Sequence, residues 1–147
     1  MDLRESIGNQ TDVALSLSKQ ILLTESNNSN LVFSPLSIEV LLSLIASGSK
    51  GSTLEQLLSF LKSKSSDHLS SFSSLAVVLA DGSASGGPRL KFANGVWVDS
   101  SLSLKPSFKQ VVGSTYKAAT NQVDFQTKLL MFQVDANSLN LFQRSLE

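Results

Sequence analysis

Apolar residues fall at helical spacing through most of the first eighty positions and at alternating spacing in short stretches, so a series of helices followed by strands is expected. From Thr11 to Glu25, Val13, Ala14, Leu17 and Ile21 share one side while Lys19, Gln20 and Glu25 are polar, which predicts an amphipathic helix ended by the cluster Asn27-Asn28-Ser29-Asn30. Leu31-Val32-Phe33 is too brief for a helix and reads as one buried strand. Ser34 then offers a side-chain oxygen to free helix N–H groups, and Pro35 sits at a first helical position, where its missing N–H costs nothing. The helix that starts there carries Ile38, Val40, Leu41, Leu42, Leu44 and Ile45 on almost every face, which predicts a core helix enclosed by the rest of the domain.

Gly48 and Gly51 break that pattern, and Ser52 with Glu55 or Thr53 with Gln56 can each form a capping box for the next helix. Leu54, Leu57, Leu58 and Leu61 come next as a single stripe, and Leu69, Phe72, Leu75, Ala76 and Leu79 suggest another short helix. The run from Asp81 to Pro88 is a flexible loop. Leu90, Phe92, Asn94, Val96 and Val98 alternate with Lys91, Ala93, Gly95, Trp97 and Asp99, which is the period of a strand. Pro106 opens a helix whose Phe108, Val111, Val112, Thr115 and Tyr116 share a face, and Ala119 to Phe125 returns as a second strand. The predicted class is α+β.

Composition narrows the function classes. The 147 residues carry 12 basic and 12 acidic side chains without blocks, so no electrostatic footprint for nucleic acid or anionic lipid is present. The absence of cysteine removes disulfides, thiolate chemistry and Cys-based metal sites. The first ten residues lack the basic and apolar regions of a signal peptide, which makes the cytoplasm the expected location, and no apolar run approaches the ~18 residues of a membrane span. The triplets Asn9-Gln10-Thr11 and Asn27-Asn28-Ser29 read as chance in a chain rich in Ser and Asn.

Candidate chemistry is sparse. The glycines from Gly82 to Gly87 precede a strand and lack a following Gly-Lys-Ser/Thr, so they do not form a phosphate cradle. His68 beside Asp67 has no Gly-x-Ser-x-Gly elbow to work with and is expected on the surface. Lys105, Lys109 and Lys117 read as a solvated face. One His and no Cys give no metal set, and no cofactor is expected.

Taken together, Phe33, Ser34, Pro35, Ser37 and Ile38 match the Phe-Ser-Pro-x-Ser-Ile motif of the serpin family, and Gly48, Gly51, Thr53 and Gln56 match its Gly-x-x-Gly-x-Thr-x-x-Gln pattern. The stretch from Ala93 to Asp99, with Asn94 and Trp97, resembles the second strand of the serpin A sheet, and Tyr116-Lys117-Ala118 with Val123-Asp124-Phe125 resembles the next helix and strand of that family. Asp81-Gly82-Ser83 and the run from Lys105 to Lys109 are worded as in plant serpins. The resemblance covers residues 11–128 within a single domain of residues 1–147, with 129–147 a divergent tail in which Asp135-Ala136-Asn137-Ser138-Leu139 keeps only a trace of the family's wording.

That resemblance implies a partial serpin fold: N-terminal helices, one central strand and two A-sheet-like strands. It also implies the activity of a family that presents a reactive-centre loop to a protease and inserts the cut loop into the A sheet. Family partners are serine or cysteine proteases, met either inside the cell or outside it. Ser34 and Ser37 would lie with Phe33 and Pro35 in the shutter beneath that sheet, performing no chemistry. The implied loop lies in the part of a serpin that this chain does not match, so the chain is expected to be non-inhibitory by itself and not an enzyme. Unpaired strand edges would suit pairing with another serpin, and a product without function is the remaining alternative. The segment from Asp67 to Ala80 holds no Lys or Arg, so polyanion binding of the kind some serpins show is not expected.

Overall fold

A computed structural model describes residues 3–25, 30–79 and 93–125. In order, these form α1 (Leu3–Glu25), α2 (Pro35–Gly48), α3 (Gly51–Phe60), α4 (Ser66–Leu79), β1 (Gly95–Asp99), α5 (Pro106–Ser114) and β2 (Ala119–Val123). The expected loop at 81–88 and the tail at 129–147 lie outside the described residues.

Helix α1 reaches back to Leu3, past the expected start at Thr11. The Thr11 hydroxyl donates to the carbonyl of Ile7 at 2.8 Å, four residues earlier, so it sits within the helix instead of capping it. Helix α2 begins as its sequence predicts: Ser34 is the N-cap with an extended backbone, and Pro35 opens the helix.

Two expectations are corrected. Leu31-Val32-Phe33 forms no strand, and Val32 is 96% exposed. A three-residue run becomes a strand only when a neighbour pairs with its backbone, and among the described residues none does. Helix α3 uses neither proposed capping box. Its N-cap is Lys50, with no side-chain cap hydrogen bond, and its first residue is Gly51. Gly51 takes φ +58°, the left-handed conformation that favours glycine, so the turn places the helix start ahead of Ser52 and Thr53.

The sheet is a parallel pair in which Gly95 faces Ala119 and Asp99 faces Val123. Parallel strands require a crossover, and α5 is that crossover. Described strand structure starts at Gly95; residues 80–92, where the alternation begins, lie outside the described part.

Helix α2 is the centre of the molecule, packed on α4 and also on α1, α3 and α5. Its Val40 and Leu44 join Val112, Tyr116 and Ala118 in one core cluster, against which Leu36, Val96, Phe108 and Val111 rest. Its Ala46 joins Val13, Leu61 and Leu69 in a second cluster, lined by the stripe Leu54, Leu57 and Leu58 from α3. The expected enclosure is incomplete, because Leu41 and Ile45, one turn apart, are 41% and 53% exposed. Neighbours among the described elements cover the other sides of the helix and leave this stripe bare.

Side chains of α1 hold the turn that joins α3 to α4. Buried Gln10 donates through Nε2 to the Leu61 carbonyl at 2.9 Å, and Asn9 donates to the Lys62 carbonyl at 3.1 Å. Lys62 pairs with Asp12 at 3.0 Å and Lys64 with Glu5 at 2.9 Å. Both pairs are exposed and contribute little, so the two amide bonds are the stronger part of this clamp.

Candidate functional site

Two groups of motif residues lie at the two ends of α2. At its start, the Ser34 hydroxyl accepts from the Ser37 backbone N–H at 3.3 Å and from the Ser37 hydroxyl at 3.0 Å. Phe33, Pro35 and Ser37 are half-buried and Ser34 is exposed. Among the described residues, no carboxylate or imidazole hydrogen-bonds to either serine, so the pair has no base to activate a nucleophile. Its chemistry is that of a cap.

At the far end, Gly48 lies under the ring of Phe108: a Cβ placed there would stand 2.7 Å from Cε2 of that ring. Glycine lets α5 approach this closely. Thr53 and Gln56 are exposed on α3 and do not meet Ser34 or Ser37. Asn94 does join the core, since its Nδ2 donates to the Tyr116 carbonyl at 3.1 Å while its own carbonyl accepts from Ala119 N–H at 3.0 Å. One residue thereby sets the register between β1 and β2. Trp97 is 54% exposed and folds back over Gly95, where a side chain would collide with the indole.

Asp99 closes the other end of the pair. Its carboxylate accepts from the Ser101 hydroxyl, the Ser101 N–H and the Phe125 N–H, and these bonds hold it below the usual carboxylate range. His68 is half-buried instead of lying fully on the surface, in a hollow shared with Glu5, Asn9, Gln10, Lys62 and Lys64. Lys105, Lys109 and Lys117 are exposed. Among the described residues, no three His, Asp or Glu side chains converge as a metal set, and no helix is long and apolar enough to cross a membrane.

A polar seam through the core is not evident from the sequence. Ser43 and Tyr116 share a hydrogen bond of 2.8 Å between hydroxyls, Ser73 donates to Ser43 at 3.0 Å, and Ser70 stands 3.4 Å from the Tyr116 hydroxyl. Glu39, one turn before Ser43, is 3% exposed, and among the described residues its Oε1 has no hydrogen-bond partner. Burial pushes its carboxyl up to about 7. A charged residue between Ile38 and Val40 in an otherwise apolar helix is the signal that could have exposed it.

Comparison with known proteins agrees with this arrangement. The sequence model of the serpin (serine protease inhibitor) family matches residues 8–138. Serpin-ZX of Arabidopsis thaliana is 56% identical over 140 residues, 94% of this chain and 36% of that protein. Serpin-Z7 of Hordeum vulgare is 46% identical over 133 residues, 86% of this chain and 34% of that one. The chain therefore spans about a third of the length of these relatives. The solved structure of Arabidopsis AtSerpin1 in its native stressed conformation superposes with a TM-score of 0.84 at 56% identity, covering 94% of this chain and 36% of that one. Loop-cleaved lamprey angiotensinogen gives 0.74 at 27% identity, covering 97% and 42%. With its family match spanning most of its length and a plant relative 56% identical to it, this chain belongs to the serpin family.

Proposed function

We propose that this chain is the helical base of a serpin-type protease inhibitor and that, as a 147-residue polypeptide, it does not trap a protease itself. The observation that carries this reading is coverage: the match accounts for 36% of Serpin-ZX and 36% of AtSerpin1. The described residues supply a capped core helix and a two-stranded sheet, and they supply no nucleophile with a base. Serpins are protease inhibitors rather than enzymes, and a scaffold role is consistent with both facts. For the whole protein, the proposed partners are serine or cysteine proteases.

A second reading is an interaction module that pairs with an intact serpin. Two observations favour it. Among the described residues β1 and β2 pair only with each other, and Leu41 and Ile45 stand bare on α2.

One experiment separates the readings: the purified chain is incubated with a chymotrypsin-like protease, with and without intact Serpin-ZX. The first reading expects no band that resists denaturation and joins chain to protease. Such a band overturns it. The second expects the chain to elute with Serpin-ZX on size exclusion, and separate elution overturns it.

A further inference from the structure

Helix α2 buries a titratable group one turn before the hydroxyl seam at Ser43 and Tyr116. Residues four apart lie one above the other on a helix, so Glu39 and Ser43 share the side of α2 that meets α4 and the segment around Tyr116. Ser43, Ser70, Ser73 and Tyr116 supply hydroxyls that already bond to each other. Glu39 is the buried carboxyl one turn before Ser43 on α2, and its Oε1 is the buried side-chain oxygen left without a partner among the described residues. An ionised carboxylate accepts hydrogen bonds and cannot donate, so its charge would rest in part on Oε1, a buried oxygen with no donor to compensate it among the described residues. A neutral carboxyl avoids that cost and adds an O–H donor.

We propose that Glu39 acts as a proton-operated latch on α2: neutral, it lets the helix close on α4 and the Tyr116 segment, and ionised, it loosens that packing. Among the described residues, the charged groups on the surrounding elements lie at the surface or in ion pairs, Arg4, Lys19, Glu25 and Lys50 being exposed. On α1, Asp12 is paired with Lys62 and Glu5 with Lys64. Glu55 on α3, Asp67 on α4, and Lys105 and Lys109 at α5 are exposed, and His68 lines the hollow under α1. Tyr116 alone shares the seam, and its hydroxyl is engaged by Ser43 and Ser70. The rise in the Glu39 carboxyl from 4.5 to about 7 has burial as its cause.

Linkage sets the sign. A carboxyl whose folded-state value is raised favours the folded chain fully below about 4.5, and that contribution disappears as pH rises through about 7. The corresponding change in the folding equilibrium is up to about 300-fold. The latch does not depend on the serpin reading, because it concerns only the packing of α2.

The test uses the whole 147-residue chain and its Glu39→Gln variant, an uncharged isostere. Glutamate labelled at the side-chain carboxyl carbon is followed by NMR from pH 3.5 to 8.5, with the Glu39 signal assigned by its loss in the variant. Amide hydrogen exchange over α2 is read in parallel. The proposal expects Glu39 to titrate near neutrality, α2 protection to fall by ten-fold or more across that titration once intrinsic exchange rates are divided out, and Glu39→Gln to flatten the profile. A Glu39 signal that titrates near 4.5 overturns it, as does an α2 profile with the same pH dependence in both proteins.

Discussion

Tyr116 has no solvent-accessible surface, yet its hydroxyl sits in a core otherwise built from Val40, Leu44, Val112 and Ala118. Such a polar atom is tolerated only when bonded, and the 2.8 Å contact with Ser43 provides that bond. Ser43 in turn accepts from Ser73, so a chain of hydroxyls crosses from α4 to α2 to the strand-bearing segment. Removing one hydroxyl leaves its neighbour buried without its partner, which costs more than the bond itself contributed. Tyr116→Phe is therefore expected to lower unfolding free energy by about 1–2 kcal/mol in a urea titration. Ser43→Ala combined with Tyr116→Phe is expected to cost less than the sum of the two, because the pair disappears together. Strict additivity in that double-mutant cycle would show that the hydroxyls do not interact.

At the level of elements, the contrast between the starts of α2 and α3 can be measured. Helix α2 has a side-chain cap, Ser34, whose bond to Ser37 N–H is long at 3.3 Å. Ser34→Ala is expected to cost about 0.5–1 kcal/mol, the lower part of the range for caps. Helix α3 has no such bond, so Ser52→Ala and Thr53→Ala are expected to change stability by less than about 0.5 kcal/mol. A cost from Thr53→Ala equal to that from Ser34→Ala would mean that the capping box forms after all. The same contrast explains what the sequence could disclose. Ser34 with Pro35, and the stripe of Leu54, Leu57, Leu58 and Leu61, are local signals, and the helices they announce are present. The start of α3 depends on the backbone of Gly51, whose φ no side-chain pattern reveals. Leu31-Val32-Phe33 has strand composition, but pairing is decided by chain elsewhere. Glu39 and Ser43 are one helical turn apart, but 73 positions separate Ser43 from Tyr116, and that pair forms only through tertiary packing; of the motif residues, Asn94 showed its shared register role only in the structure.

Over the whole molecule, α2 is the element common to both core clusters. Val40 and Leu44 pack toward α5 and the sheet, while Ala46 packs toward α1, α3 and α4. No cluster can lose its side of α2 without disturbing the other, since a helix turn is shared between them. The two clusters should therefore melt as one cooperative unit even though they share no residue. Leu69 is 2% exposed in one cluster and Val112 is fully buried in the other, which makes them matched probes. Leu69→Ala is expected to cost about 3 kcal/mol and Val112→Ala about 2 kcal/mol, from lost burial plus the cavity left behind. Trp97, the single tryptophan, sits on β1 and reports the sheet side by fluorescence, whereas circular dichroism reports mainly the helices. If α2 couples the clusters, Leu69→Ala shifts the Trp97 midpoint and the dichroism midpoint by the same amount, although Leu69 lies in the cluster that excludes β1. If Trp97 keeps its original midpoint while the helices melt earlier, the clusters are separate units and α2 does not transmit stability between them.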